Sequence, residues 1–314
     1  MPEPRELRVD QILTNFSILY RNEMYLWRNV LPMVKVMKLS DKYPIYTKAD
    51  SFRVRDDRIG PNALPNEIDW SAAFGTYSVK DHALASWLPV ETIQNTDPPI
   101  NAEINTARNL TNALELAQEV RVAAIVFLAT TYPSGNKVQL SGTGQWGQSA
   151  DAPLANVNTA IEGCFVRANT LVFGQQSWEV FRALPEVIEA IRSRVPATGS
   201  SVTQGFASPA EVATLFEVDN VYVGRARKIT SVEGQTDTYA RVWGKHMAAL
   251  HLEPGISLDS VSFGKTFHEM DKVIYTDFDG KRGTKGSNFY KHAWNSDEKI
   301  TASDLGYFIE DAVA

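Results

Sequence analysis

The spacing of apolar and polar positions changes character several times along the chain. Over residues 5–31 the apolar side chains Val9, Leu13, Phe16, Leu19, Met24, Trp27 and Val30 recur at helical spacing, and Pro32 stops the pattern. An amphipathic helix or arm is expected there. Residues 44–57 and 74–88 then mix β-branched and aromatic residues with frequent charges, and Gly60, Pro61, Asn62, Pro65 and Asn66 lie between them. This predicts a two-stranded arm with an irregular tip. A lone ribbon is marginal in water and exposes its edges, so the feature points to assembly with another molecule. From residue 101 to 127, Ile104, Ala107, Leu110, Leu114, Ala117 and Val120 return every three or four residues. They predict a rod of roughly 40 Å, started by Asp97-Pro98-Pro99 or capped by Asn101.

Downstream, residues 130–163 read as loop with a short strand at 137–140. A strand at 170–173 precedes helices at 176–184 and 185–194, split at Pro185. Ser208-Pro209-Ala210-Glu211 has the form of a capping box, starting a helix that runs to about Phe216. Residues 218–224, 239–252 and 261–277 read as extended. Thr301 and Asp304 predict a cap on a final helix carrying Leu305, Phe308, Ile309 and Val313. The mixture indicates an α+β fold.

Composition narrows the functional classes. The 314 residues are 44% hydrophobic and 22% charged, as in a globular protein. The net charge of −6 argues against general nucleic-acid binding through a basic face. Residues 1–58 hold 11 lysines and arginines against 8 acidic residues, so the remainder is near −9. Either the basic arm docks on an acidic neighbour or its charges are simply solvated. The single cysteine, Cys164, excludes an intrachain disulfide and reads as a small buried residue. No apolar run approaches membrane length, and the first residues lack the apolar core of a signal peptide.

Chemical motifs are few. Gly142-Thr143-Gly144-Gln145-Trp146-Gly147 matches G-x-G-x-x-G, but Pro153 follows closely, leaving little room for the pyrophosphate-binding helix. A glycine loop pinned by Trp146 is the favoured reading. The five histidines form no H-E-x-x-H pattern. Asp277-Phe278-Asp279-Gly280 resembles the start of a calcium loop, yet position 288 is Asn where that loop needs Glu. No catalytic, cofactor or metal residue is expected.

Taken in order, these segments resemble the major capsid proteins of tailed bacteriophages with the HK97-type fold. The resemblance is carried by LSGTGQWGQSADAPLANVNTAIEG at 140–163, ANTLVFGQQSWEVFRALPEVIEAIRSR at 168–194, SPAEVATLFEVDNVYVGRA at 208–226 and YARVWGKHMAALHLEP at 239–254. It implies an N-terminal arm (1–42), an extended E-loop hairpin (43–88) and a peripheral domain (89–165) with a spine helix at 101–127. An axial domain (166–285) and a C-terminal return to the peripheral domain (286–314) complete it. It further implies an icosahedral head shell around double-stranded DNA, built from copies in hexamers and pentamers. A separate scaffolding protein, a portal and optionally a decoration protein would assist, with assembly in the host cytoplasm. DNA contact would be weak and non-specific, with no membrane and no cofactor. Phe52, Trp70, Phe74 and Tyr77 on the loop, and Phe16 and Trp27 on the arm, are the expected intersubunit contacts. Trp87 anchors either the loop or its root. Two other functions stay open: an encapsulin-like compartment shell, and a nucleotide-binding oxidoreductase using Gly142–Gly147.

Overall fold

The computed structural model describes residues 8–9, 13–14, 24–46, 54–59, 64, 66–67, 72–96, 101–194, 205–253, 255, 257–258 and 260–314. Two sheets carry the fold, and helix α3 (Ala102–Val126) runs beneath one and reaches the other. Its N-cap is Asn101, whose side chain accepts from the Glu103 and Ile104 amides at 3.0 Å. Its buried face runs through Ala107, Leu110, Thr111, Leu114, Glu115, Gln118, Glu119, Val122, Ala123 and Val126. That face turns away from the expected one in its second half: Ala117 is exposed, and polar residues take the buried places. Polar groups are tolerated because donors from three other segments meet them, as set out below.

The first sheet is built on β14 (Ser287–Ile300), a strand of 14 residues. It pairs with β5 (Lys80–Pro89), which leads into the short helix α2 (Val90–Gln94), and with β12 (Gly264–His268) and β13 (Val273–Asp279). β1 (Arg8–Val9) adds to β13 and β2 (Met33–Lys35) adds in parallel to β12. The continuous helix expected over residues 5–31 is therefore corrected. Arg8–Val9 is strand, Leu13 and Thr14 are helical, residues 24–26 are turn and loop, and α1 is a single turn at Trp27–Val30. Pairing of β1 with the β13 edge supplies backbone bonds that helical periodicity does not reveal.

The second sheet has the order β6-β15-β11-β7-β8, formed by Lys137–Gln139, Gly306–Glu310, Met247–Leu250, Thr170–Gly174 and Asn220–Gly224. Both its faces are covered. Leu171, Phe173, Met247, Ala249 and Ile309 face a core shared with α4 (Pro153–Glu162), α5 (Gln175–Phe181), α6 (Pro185–Arg194) and α7 (Pro209–Phe216). Val172, Ala248, Leu250 and Phe308 face Trp27, Val122, Val126, Trp243 and Trp294. Burial on both sides explains two misreadings. The final segment is not a capped helix: a 3₁₀ turn at Ser303–Leu305 leads into β15, whose run of apolar residues suits a central strand. The 130–163 loop contains α4, whose Val157, Ala160 and Ile161 are buried while Asn156, Asn158 and Thr159 dilute the pattern.

Both sheets draw on distant parts of the chain: β12 and β13 join the first sheet beside α3, and β6 and α4 pack with the second. The C-terminal β15 returns to the second sheet. Long-range pairing decides this, and local sequence does not encode it. A separate two-stranded sheet, β3 (Ser40–Tyr46) with β4 (Ala72–Ser78), stands outside both.

Candidate assembly surfaces

β3 and β4 pair from Ser40 opposite Ser78 to Tyr46 opposite Ala72. The alternation of a strand puts Asp41, Tyr43, Ile45, Gly75 and Tyr77 on one face. The rings of Tyr43 and Tyr77 pack on Phe267, with centroids at 5.4 and 4.8 Å, and Val34, Val36 and Val79 close this cluster. Gly75 leaves space for the Tyr43 ring, which a Cβ there would meet at 2.3 Å. The Val79 amide donates to the Leu39 carbonyl and the Ser78 amide to Asp297, fixing the angle at which the hairpin leaves. The other face carries Lys42, Phe74 and Thr76, all exposed. No third strand joins the hairpin among the described residues. Among the described residues β5 pairs only with β14, which leaves its other edge open there.

The expected contact residues separate accordingly. Phe74 is 62% exposed on the outer face. Tyr77 is buried in its own chain at the hairpin root, so it is not an exposed anchor. Trp27 is likewise buried, edge-on to Trp294 at 5.5 Å. Both are aromatic residues on segments expected to project, and aromatic type alone does not distinguish anchor from root. Phe16, Phe52 and Trp70 lie outside the described residues. Trp87 packs on Phe289 at 4.7 Å beneath the Arg282 guanidinium, in β5 and not on the hairpin.

A buried carboxylate fastens the arm to the body. Glu119, buried in α3, accepts from the Leu26 amide at 3.0 Å, the Trp27 amide at 2.8 Å and Trp243 Nε1 at 2.5 Å. One carboxylate thus ties the arm, the spine and a loop of the second sheet. Burial pushes its pKa up, and the three donors oppose that shift. One turn earlier, Glu115 pairs with Lys272, both buried, and with Arg28 at 3.4 Å. Trp243 fits against Gly224, where a Cβ would touch its ring at 2.3 Å. The available signal was the acidic pair at 115 and 119, four residues apart within an apolar stripe.

The remaining motifs carry no reactive geometry. Gly142–Gly144 forms a 3₁₀ turn, Trp146 is buried against Phe181, and the Gly147 amide donates to Asp151. No helix starts at Gly147, so the dinucleotide-binding arrangement is not formed. The Cys164 thiol is buried, which pushes its pKa up to about 12. His246 Nδ1 accepts the Asp311 amide at 3.0 Å, and burial lowers its pKa. Asp279 accepts the Lys281 amide in a tight turn. Among the described residues no group of His, Cys, Asp or Glu is placed to hold a metal ion, and no helix is long and apolar enough to cross a membrane.

A long spine helix, a projecting hairpin and two sheets are the parts of an HK97-type shell subunit. The fold matches the crystal structure of a phage-related protein from Bordetella bronchiseptica RB50 with a TM-score of 0.74 at 22% identity, covering 99% of this chain and 98% of that one. The capsid of cyanophage P-SCSP1u matches at 0.58 and 11%, covering 93% and 89%. The SrpI encapsulin of Synechococcus elongatus PCC 7942 matches at 0.52 and 10%, covering 97% and 96%. No family model matches the chain. In sequence it is 32% identical over 307 residues to the major capsid protein of Pseudomonas phage JBD67, spanning 98% of this chain and 97% of that protein. The chain belongs to the phage major capsid proteins.

Proposed function

We propose that the chain assembles with copies of itself, in rings of five and six, into an icosahedral head shell around double-stranded DNA. The observation that carries this is the β3–β4 hairpin, a two-stranded sheet with Phe74 exposed on its outer face and no further strand beside it among the described residues. In the shell a neighbouring copy covers that face, and Phe52, Trp70 and Phe16 supply further contacts. The first sheet with α3 forms the peripheral unit and the second sheet with α4 to α7 the axial unit. A separate scaffolding protein and a portal take part, assembly takes place in the host cytoplasm, and a decoration protein is an optional addition. Contact with DNA is weak and non-specific, in keeping with the net charge of −6. No catalytic step is assigned to the chain.

The encapsulin-like compartment shares this fold, so the fold does not choose between them. The relative at 32% identity favours the phage head. Expression of the chain with its genomic neighbours, followed by electron microscopy and nuclease protection, tests the choice. Closed shells that protect DNA are expected. Small uniform particles filled with protein cargo would reject the phage-head reading in favour of the compartment.

A further inference from the structure

The ribbon formed by β9 (Arg227–Ile229) and β10 (Tyr239–Arg241) carries its charges in an unusual order. Arg227 and Arg241 are direct cross-strand partners. Like charges so placed repel, and the two strands gain nothing from them as a pair. Arg225 stands just before β9, and Arg241 Nη1 donates to its carbonyl at 3.3 Å. The three arginines line one cavity of about 400 Å³ together with Tyr25 and Gln175. None of the three forms an ion pair among the described residues. Converging guanidinium groups in a concave site suit a carboxylate or phosphate, which they can bind bidentately.

The far end of the same ribbon has the opposite sign. Its turn carries Glu233 and Asp237, both exposed, around Gly234 at φ +89°. Val232 beside them is 72% exposed. Asp237 is contacted by the Tyr239 hydroxyl at 3.4 Å, whereas no hydrogen bond or ion pair involves the Glu233 side chain among the described residues. Arg227 lies at the base of the ribbon and Glu233 in its turn, and no hydrogen bond or ion pair joins Glu233 to the three arginines within the chain among the described residues.

We propose that the acidic tip of this ribbon seats in the arginine cavity of the next copy, with Glu233 between Arg227 and Arg241. The contact is head-to-tail, the type that builds a ring when the rotation between copies closes. The proposal rests on the shell reading and adds to it a specific ring contact. A second copy fits better than nucleic acid, because the basic groups form one cavity with Met24 and Tyr25 in its lining, not a track along a surface.

The test uses three full-length chains: R227E/R241E, E233R, and one bearing all three reversals. Opposed like charges cost several kcal/mol, so each partial reversal lowers ring formation at fixed concentration by about tenfold or more. Mass photometry reads the rings whether or not shells close. The triple reversal recovers assembly, and an equimolar mixture of the two partial variants recovers rings of six, in which the two alternate. Circular dichroism melting confirms folding. If a reversal does not fold, R227Q/R241Q and E233Q decide instead, with a several-fold drop expected. Wild-type assembly by the partial variants, or by the glutamine variants where they decide, overturns the proposal, as does a triple reversal no better than its parents. Loss of retained DNA with assembly unchanged also overturns it, in favour of nucleic-acid contact. Wild-type chains that form rings but never shells count against the shell reading and leave the ring contact standing.

Discussion

Glu119 holds three backbone and side-chain donors from segments far apart in sequence. Replacing it by alanine leaves the Leu26 and Trp27 amides and the Trp243 indole buried without an acceptor. Unpaired buried donors cost about 1–3 kcal/mol each, so Glu119→Ala is expected to lower unfolding free energy by about 3–5 kcal/mol. Urea denaturation measures it, and a loss below about 1 kcal/mol would mean the latch is not structural. His292 gives a pH signature. It is fully buried, near Thr111 Oγ1 at 3.3 Å, and burial followed by the Lys272 charge lowers its pKa from 6.5 to about 4. The unfolded chain binds this proton more readily, so stability is complete above about pH 6.5 and falls as pH drops toward 4. The loss amounts to about 3 kcal/mol over that window. His82, His246 and His268 shift the same way, and Glu119 shifts upward, opposing the trend. The contrast between wild type and His292→Gln isolates the one residue: the variant should show a shallower slope between pH 4 and 6.5, and an equal slope would remove His292 as the source.

At the scale of elements, what was legible in the sequence had a local cause. α3 was readable because its cap and stripe are local, and Asn101→Ala should cost about 1 kcal/mol by thermal or urea unfolding. The capping box of Ser208 and Glu211 is equally local, and it is present at the start of α7. β15 and α4 were misread because tertiary burial on both faces of one sheet, and polar dilution of one helix, override periodicity. The hairpin was legible as an element but not in its parts. Tyr77→Ala should destabilise the folded chain by about 3–5 kcal/mol, since its ring fills the root against Phe267. Phe74→Ala should leave stability within about 0.5 kcal/mol and reduce assembly instead. Denaturation and particle yield, measured on the same two variants, separate root from contact surface. Equal behaviour of the two would remove the distinction.

For the whole molecule, the two sheets share one core through Trp27, Trp243, Trp294 and the end of α3, so the body is expected to act as a rigid unit. The hairpin and the β9–β10 ribbon project from it as separate two-stranded sheets. Two-stranded ribbons are marginal in water, and aromatic or charged groups on their open faces gain partners only by association. That combination suits a shell, where one rigid body repeats and its projections adjust to each neighbour. Sequence could indicate the β3–β4 hairpin through its mixed polarity, but it could not indicate what covers it, because that information lies in other copies. The most direct measurement is a cryo-electron microscopy reconstruction of particles assembled from the full chain. The account predicts closed shells in which the outer face of β3–β4, with Phe74, is covered by a neighbouring copy. A chain that stays monomeric at high concentration with that face folded onto its own body would contradict it.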